Sequence, residues 1–534
     1  MENNQNFLDK NTIIATLLIL AIWFGYGHFF PTPVQTVKQT QTPKSENTGS
    51  QDNIAVGTGQ AEERSLEAKN IAAKKAITRE TSIAIDEENI SFTISSIGMS
   101  IKDVVLKSYT DRAGDLIKLH NGQSVANYET QINDKTINFD IEKVSANEIV
   151  GTFENENMRV KKVYNLDLQN YTIKTNIELQ NKNKSAIEVA SHLVDFTKDE
   201  PETSIFSPNY EKQEIFVSTA NDEERGVFYK KQEEGRTVLN IEENFLNGIS
   251  KVAVAAVSSQ YFTRAIIDYS DLIPSLKTFF VKDLQETYVK LYYPKTKKEK
   301  ININYKSYVG PKKAQLVSKV DTRFADVIDF GFFSSIAKPI FRLLIFFYDL
   351  VHNYGFAIIL LTLLVRVAVL PFNVMSYKSM KKMQVIQPII AQIREKHKED
   401  PMKMNQEVMA VMKENKANPM GGCLPMFLQL PIFFALYQVL GQSIELYQAP
   451  FIWWIQDLSL KDPYYILPVL MGITMYLQQK FTPTAMDPTQ AKVMMFLPVV
   501  FSLFMIALPS GLTLYIFIST LFAVVQQKIL MKTV

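Results

Sequence analysis

Val493–Gln527 reads VMMFLPVVFSLFMIALPSGLTLYIFISTLFAVVQQ, 35 consecutive residues without a charge between Lys492 and Lys528. As one helix it would measure about 52 Å, against a hydrocarbon core about 30 Å thick, so it is too long for a single membrane span. Pro509-Ser510-Gly511, near its middle, carries the residues that break a helix and reverse a chain. The stretch therefore reads as two antiparallel spans of about 16 residues each, and the chain as a polytopic membrane protein.

The same length test, applied outward, adds spans at 463–479, between Asp462 and Lys480, and at 417–444, between Lys416 and Glu445, the latter running through Pro425 and Pro431. From Ile336 to Pro371 the chain is apolar for too long, and His352-Asn353-Tyr354-Gly355 is where it breaks. Before the break, Lys338, Arg342 and Asp349 alternate with Phe341, Leu344, Ile345 and Phe346, the pattern of a helix lying in the membrane interface. After it, Tyr354 to Tyr377 is a span with one charge, Arg366, near its middle. Ile13 to Phe30 is the first span, ended by Pro31 and Pro33. Gly25-Tyr26-Gly27 would also suit cleavage of a signal peptide, but Lys10 is offset by Glu2 and Asp9, which favours an uncleaved anchor.

Between the second and third spans, nine lysines and arginines face five acids, so this segment is cytoplasmic by the positive-inside rule. Parity puts both termini inside and residues 31–335 outside, with Trp453, Trp454, Tyr464 and Tyr465 in an outer aromatic belt. Residues 31–78 are polar and aperiodic, a flexible linker. Beyond them, Ser82–Asp86, Ile90–Ser95, Thr136–Ile141, Tyr171–Leu179 and Tyr288–Tyr293 alternate apolar and polar residues, as in an antiparallel β-sandwich. The expected order is an anchor at 1–30, the linker at 31–78, the sandwich at 79–320, an interfacial helix at 321–353 and a five-helix core at 354–534. A cytoplasmic helical hairpin at 373–418 is set into that core, turning at Glu399-Asp400-Pro401.

Several function classes drop out. With 57 basic and 55 acidic residues the net charge is +2, no signature of a nucleic-acid binder. Cys423 is the single cysteine, which excludes an intrachain disulfide and a Cys-rich zinc site; it reads as a small apolar residue. No G-x-x-x-x-G-K-[ST] loop is present, which argues against ATP-driven transport. The sandwich holds His120 and His192 but no paired carboxylates at a recognisable spacing, so a binding or spacing module is favoured over a sugar-processing enzyme. No cofactor, metal or small-molecule substrate is expected.

Arg366 is the informative residue. A guanidinium cannot be deprotonated and costs about 3 kcal/mol or more at bilayer depth. No acidic residue lies within the six spans to pair with it. Two fates remain: it snorkels to the headgroups, or it lies in a water-filled groove. Thr362, one turn earlier on the same face, and Gln429 and Gln526 are the polar groups that would share such a groove. A channel or secondary transporter would also use an intramembrane arginine, but would need ionisable residues in several spans. The hairpin's Met375, Met380, Met383, Met402, Met404, Met409 and Met412 suit either a surface for varied apolar sequences or a seam packed on itself.

Asn418 to Pro425 (NPMGGCLP), Gln429 to Tyr437, Gln448-Ala449-Pro450-Phe451, Asp462 to Pro468 (DPYYILP), Pro509 to Leu512 and Tyr308 to Lys312 (YVGPK) resemble strings of the bacterial YidC/Oxa/Alb family of membrane protein insertases, in order and over essentially the full chain. The resemblance implies a six-span bundle, an anchor plus a five-helix insertase core, with a periplasmic β-sandwich. It implies a groove open to lipid and cytoplasm, centred on Arg366. It further implies client contacts at Met426, Phe433, Phe501, Phe504 and Tyr515, and no catalytic chemistry. The implied partners are nascent membrane proteins, the Sec translocase with its accessory subunits, ribosomes carrying nascent chains, and lipids; the implied place is the inner membrane. Ile516 departs from the second aromatic that relatives often carry there.

Overall fold

In the computed structural model the described residues are 80–534, except 112, 120, 195–213, 221–224, 234–235, 240–247, 282–285, 399, 416, 418–423, 483–487 and 534. The anchor and linker expected at 1–78 lie outside them, as do His120 and Cys423. The described chain divides into two compact units that meet in sequence at Asp329 and Phe330.

The first unit is antiparallel β-structure. Its largest sheet has ten strands, in the order Arg236–Leu239, Arg225–Glu233, Glu214–Thr219, Val252–Ser258, Phe262–Asp268, Lys300–Pro311, Thr172–Asn181, Met158–Asp167, Glu148–Glu154 and Asp140–Lys143. A five-stranded sheet runs Ser275–Val281, Glu286–Tyr292, Val189–Val194, Thr130–Ile132, Lys135–Thr136, and a four-stranded one carries residues 82–118. Alternation makes the sandwich: Ile173, Thr175, Ile177 and Leu179 are buried, while Lys174 and Glu178 between them are exposed. Of the sequence-expected strands, Ser82–Asp86 and Ile90–Ser95 appear with those bounds. Thr136–Ile141 does not form one strand: Lys135–Thr136 belongs to the five-stranded sheet and Asp140–Lys143 to the ten-stranded one. Ile137 and Phe139 between them pair with Gly98 and Ser96 instead. The alternating pattern is real, but the chain changes sheets within it.

Polar groups tie the sheets together through the core. The Lys162 amine, fully buried, donates to the carbonyls of Gly98 (3.2 Å), Met99 (2.9 Å) and Tyr128 (2.8 Å) and to Thr130 Oγ1 (2.9 Å). The hydroxyl of Tyr128 donates to the Tyr308 carbonyl at 2.7 Å, and Ser191 meets the Tyr305 hydroxyl at 3.1 Å. His192 is a core residue, buried against the Glu129 carbonyl. A short helix, α1 (Ala314–Val320), and the segment to Asp329 close this unit, with Phe324 buried edge-on against Tyr308.

The second unit is helical: α2 (Ser334–Val351), α3 (Tyr354–Lys396), α4 (Pro401–Glu414), α5 (Leu424–Gln442), α6 (Ile466–Phe481), α7 (Pro488–Met505) and α8 (Ser510–Thr533). α2 buries Ala337, Ile340, Phe341 and Leu344, a stripe at helical spacing, and exposes Lys338 and Arg342. His352, in the left-handed region at φ 52°, ends α2, and Asn353 caps α3 by accepting from Phe356 N at 3.1 Å. At Gly355 a Cβ would come within 2.0 Å of the Phe451 ring, so only glycine lets the loop seat there. α3 runs unbroken through Pro371 and Pro388, so the expected span and the first hairpin arm are one helix of 43 residues. A proline removes one backbone bond, which a long helix tolerates. The hairpin turns at the expected place: Asp400 caps α4 by accepting from Lys403 N at 3.0 Å. The long apolar stretch breaks before Ser510, as expected. By length and composition, residues 331–351, 354–396 and 510–530 are the described helices able to cross a membrane, with Met495–Met505 a shorter apolar helix.

Candidate functional site

Helices α3, α5 and α8 pack on one another, and their polar residues meet there. α3 and α8 run side by side in the same direction: Gly511 faces Ile358, and eight residues further on in both helices Ser519 faces Arg366. Eight residues are about 12 Å, so the contact lies well inside both helices, away from their N-terminal ends. Arg366 Nε donates to Ser519 Oγ at 2.7 Å. One turn nearer the N-terminal end of α8, the Tyr515 hydroxyl accepts from Gln429 Nε2 of α5 at 2.7 Å.

Among the described residues no carboxylate pairs with Arg366, and Ser519 is the one hydrogen-bond acceptor it has there. A guanidinium carries five N–H donors, of which this contact uses one. None of its nitrogens is among the described polar atoms buried without a partner. The side chain is half-buried, and its neighbours Leu364 and Val367 are exposed on the same helix. A cation is thus held at one nitrogen, with no described acceptor at the others, beside exposed apolar side chains of its own helix.

The other sequence-expected residues divide. Thr362 is fully buried and its hydroxyl donates at 2.6 Å to the Ile358 carbonyl of its own helix, so it adds little polarity to the space near Arg366. Tyr515, expected as a client contact, is 2% exposed and sits inside the polar cluster. Gln526 is buried two turns beyond Ser519. Phe433 packs edge-on against Phe434, and Phe501 and Phe504 are half-buried on α7. The Met426 side chain lies outside the described residues. Ser519 was missed, although it stands four residues after Tyr515 on one helix face, the same spacing that links Thr362 to Arg366. Two further links, Thr474 to Thr520 at 2.8 Å and Ser502 to the Pro468 carbonyl at 2.6 Å, join α6 to α8 and α7.

The hairpin packs partly on itself. Met383, Ile386, Ile390 and Ala417 form a buried seam with Val408, Val411 and Met412, and His397 meets Glu407 at 3.1 Å. Met375, Val385, Met402 and Met409 remain exposed.

Comparison with known proteins bears on the whole chain. The model of the family described as 60Kd inner membrane protein matches residues 346–534, and that of the YidC periplasmic domain matches residues 82–343. A membrane protein insertase YidC of Geotalea daltonii is 32% identical, over 98% of this chain and 99% of its own. One of Campylobacter jejuni is 49% identical over 42% of this chain and 43% of its own. A crystal structure of an active YidC insertase with its first transmembrane domain resolved covers 85% of this chain and 96% of its own at 17% identity, with a TM-score of 0.38.

Proposed function

This chain belongs to the YidC family of membrane protein insertases, and from that premise we propose that it moves client segments into the inner membrane through a hydrated groove centred on Arg366. It is an inner-membrane insertase with a β-rich periplasmic domain, and its clients are nascent membrane proteins. The observation that carries the groove is the half-buried Arg366 guanidinium, donating to one serine hydroxyl and meeting no carboxylate among the described residues. Such a cation draws water and the acidic tail of a client part-way into the bilayer, which lowers the cost of desolvating that tail.

Short helices support the same reading. α6 has 16 residues, about 24 Å, and the uncharged part of α7, from Val493 to Met505, about 20 Å, both below the roughly 30 Å of a hydrocarbon core. Lipid beside them thins, and the polar tail has less to cross. Gln429, Tyr515 and Ser519 hold the helices that frame the cation; Gln526 extends the polar face toward the cytoplasm. Phe433, Phe501 and Phe504, with Met426, offer the apolar side of a client a path along α5 and α7. The Sec translocase with its accessory subunits and ribosomes bearing nascent chains are the partners that the family resemblance implies, and the basic hairpin with its exposed methionines is the surface that would receive them. The reading assigns no catalysis and no ATP to the chain.

The test is insertion by the reconstituted protein. Arg366→Ala lowers insertion of clients with acidic translocated tails at least about tenfold, because a charge pair at an effective dielectric near 20 is worth about 4 kcal/mol at contact. Arg366→Lys restores part of it, since field and hydration matter more than a bidentate geometry. Full activity of Arg366→Ala on every such client removes the charge from the mechanism. Photo-crosslinking of a stalled client to probes along α5 and α7 maps the apolar path independently.

A further inference from the structure

Three Asn-x-Ser/Thr triplets occur in the sequence, Asn89-Ile90-Ser91, Asn170-Tyr171-Thr172 and Asn183-Lys184-Ser185, and all lie within the residues that match the periplasmic domain. Such a triplet accepts N-linked sugar where its amide nitrogen can be reached. The structure separates the three. At Asn170 the nitrogen donates to both oxygens of Asp167, at 3.1 and 3.0 Å, and Thr172 is buried. At Asn183 the side-chain oxygen accepts from Ser185 N at 3.1 Å, and the nitrogen donates to Asn157 Oδ1 at 3.0 Å. A carboxylate only accepts and an N–H only donates, so the nitrogen is the occupied end at Asn170 and the end turned to Asn157 at Asn183.

Asn89 differs. It sits in the tight turn between Ser82–Asp86 and Ile90–Ser95, closed by Glu87 N on the Ile90 carbonyl at 3.1 Å. Among the described residues its carboxamide meets one side chain, the hydroxyl of exposed Ser108 at 3.1 Å, a contact that either end of the amide can make. Ser91, the third residue of the triplet, is half-buried and alternates with the buried Ile90 and Phe92, so its hydroxyl leaves the sheet on the face away from them. Ser82–Asp86 is the edge strand of its sheet, so fraying there frees the turn while the sandwich stays closed. Two residues before Asn89 stands the exposed Glu87, whereas Leu168 and Asn181 hold that place in the other triplets. A carboxylate there gives a transferase a charge-assisted contact in addition to the hydroxyl, the longer acceptor signal that bacterial oligosaccharyltransferases read.

We propose that Asn89 is a site of N-glycosylation, its co-substrate a polyprenyl-diphosphate-linked oligosaccharide on the periplasmic face of the membrane. The bond formed joins Asn89 Nδ2 to the anomeric carbon of the sugar. The bond broken joins that carbon to the diphosphate, which leaves with the electron pair, while the amide gives one proton to a base of the transferase. This assignment does not depend on the groove at Arg366.

The experiment isolates the full-length chain from the membranes of its own cells and sequences its glycopeptides by mass spectrometry. The peptide with Asn89 carries one oligosaccharide, and those with Asn170 and Asn183 are bare. Asn89→Gln and Ser91→Ala each abolish the modification, Ser91→Thr keeps it, and Glu87→Gln lowers its occupancy about tenfold, the loss of one charge-assisted contact. All four changes lie in one surface hairpin, and an unaltered circular dichroism spectrum shows that the variants fold. A bare Asn89 in the parent, equal occupancy of Asn170 or Asn183, survival of the sugar in Ser91→Ala, or indifference to Glu87→Gln each overturns the assignment.

Discussion

Each unit of this protein removes a cation from bulk water, and each treats it differently. In the sandwich, Lys162 meets three carbonyls and a hydroxyl and is fully enclosed. In the bundle, Arg366 meets one hydroxyl and stays half-open. Burial pushes the Lys162 amine well below the usual lysine value, while the buried Glu129 carboxylate opposes that shift. A lysine can answer burial by giving up its proton; an arginine cannot, so its unmet donors stay a fixed source of field. A cation whose partners are all internal holds architecture, and one with donors to spare has the role that the proposed groove requires of Arg366.

That contrast breaks most easily at Lys162. Lys162→Met keeps the volume but strands three carbonyls and Thr130, so sheet unfolding in denaturant should lose about 3–5 kcal/mol. Arg366→Ala should leave the same unfolding within about 1 kcal/mol while insertion fails. Equal losses of stability from both changes would erase the distinction.

Next in size is Asp268, buried at the end of its strand and accepting from Ser270 and the Tyr293 hydroxyl. Burial raises its pKa from 3.8 to about 6, against those hydrogen bonds and the nearby Arg323. A carboxyl held above its unfolded value takes up a proton on folding, so its contribution is full below about pH 4 and is lost as pH rises through about 6. Sandwich stability should therefore fall by about 2–3 kcal/mol across that window, and Asp268→Asn should flatten the profile. A stability that rises from pH 4 to 6 in the parent, to the same extent as in the variant, would mean that other groups govern this unit.

The smallest change sharpens the comparison instead. Ser519→Ala removes the acceptor that orients Arg366 and costs about 0.6 kcal/mol, the mean for a hydrogen bond between membrane helices. Insertion of acidic-tailed clients should drop no more than about threefold. A defect as deep as that of Arg366→Ala would shift the role from the charge to its orientation.

Much of the site was legible beforehand because its signals are local. Arg366 stands out as a charge inside an apolar run, and Gln429 as an amide in another; both need only the span lengths to be noticed. Ser519 and the inward placement of Tyr515 were not legible, because a serine or a tyrosine in a span reads the same whether it faces lipid or a neighbour. The strands were legible where one chain segment keeps one sheet, as at Ile90–Ser95, and failed at Thr136–Ile141, where two sheets share one alternating run.

By itself the amino-acid order determined that apolar helices and a polar β-rich unit share one chain, the turns at Asp400-Pro401 and Pro509-Ser510, and the presence of one arginine inside an apolar run. Those follow from residue spacing, helix rise and the cost of charge in hydrocarbon. Only the tertiary structure decided that α3 and α8 run in parallel with Ser519 at the level of Arg366, that Thr362 turns back on its own helix, and that the buried Lys162 amine meets carbonyls from three separate stretches of the sandwich. Those depend on which helix face or strand lies alongside which, a choice made by packing between segments far apart in the chain.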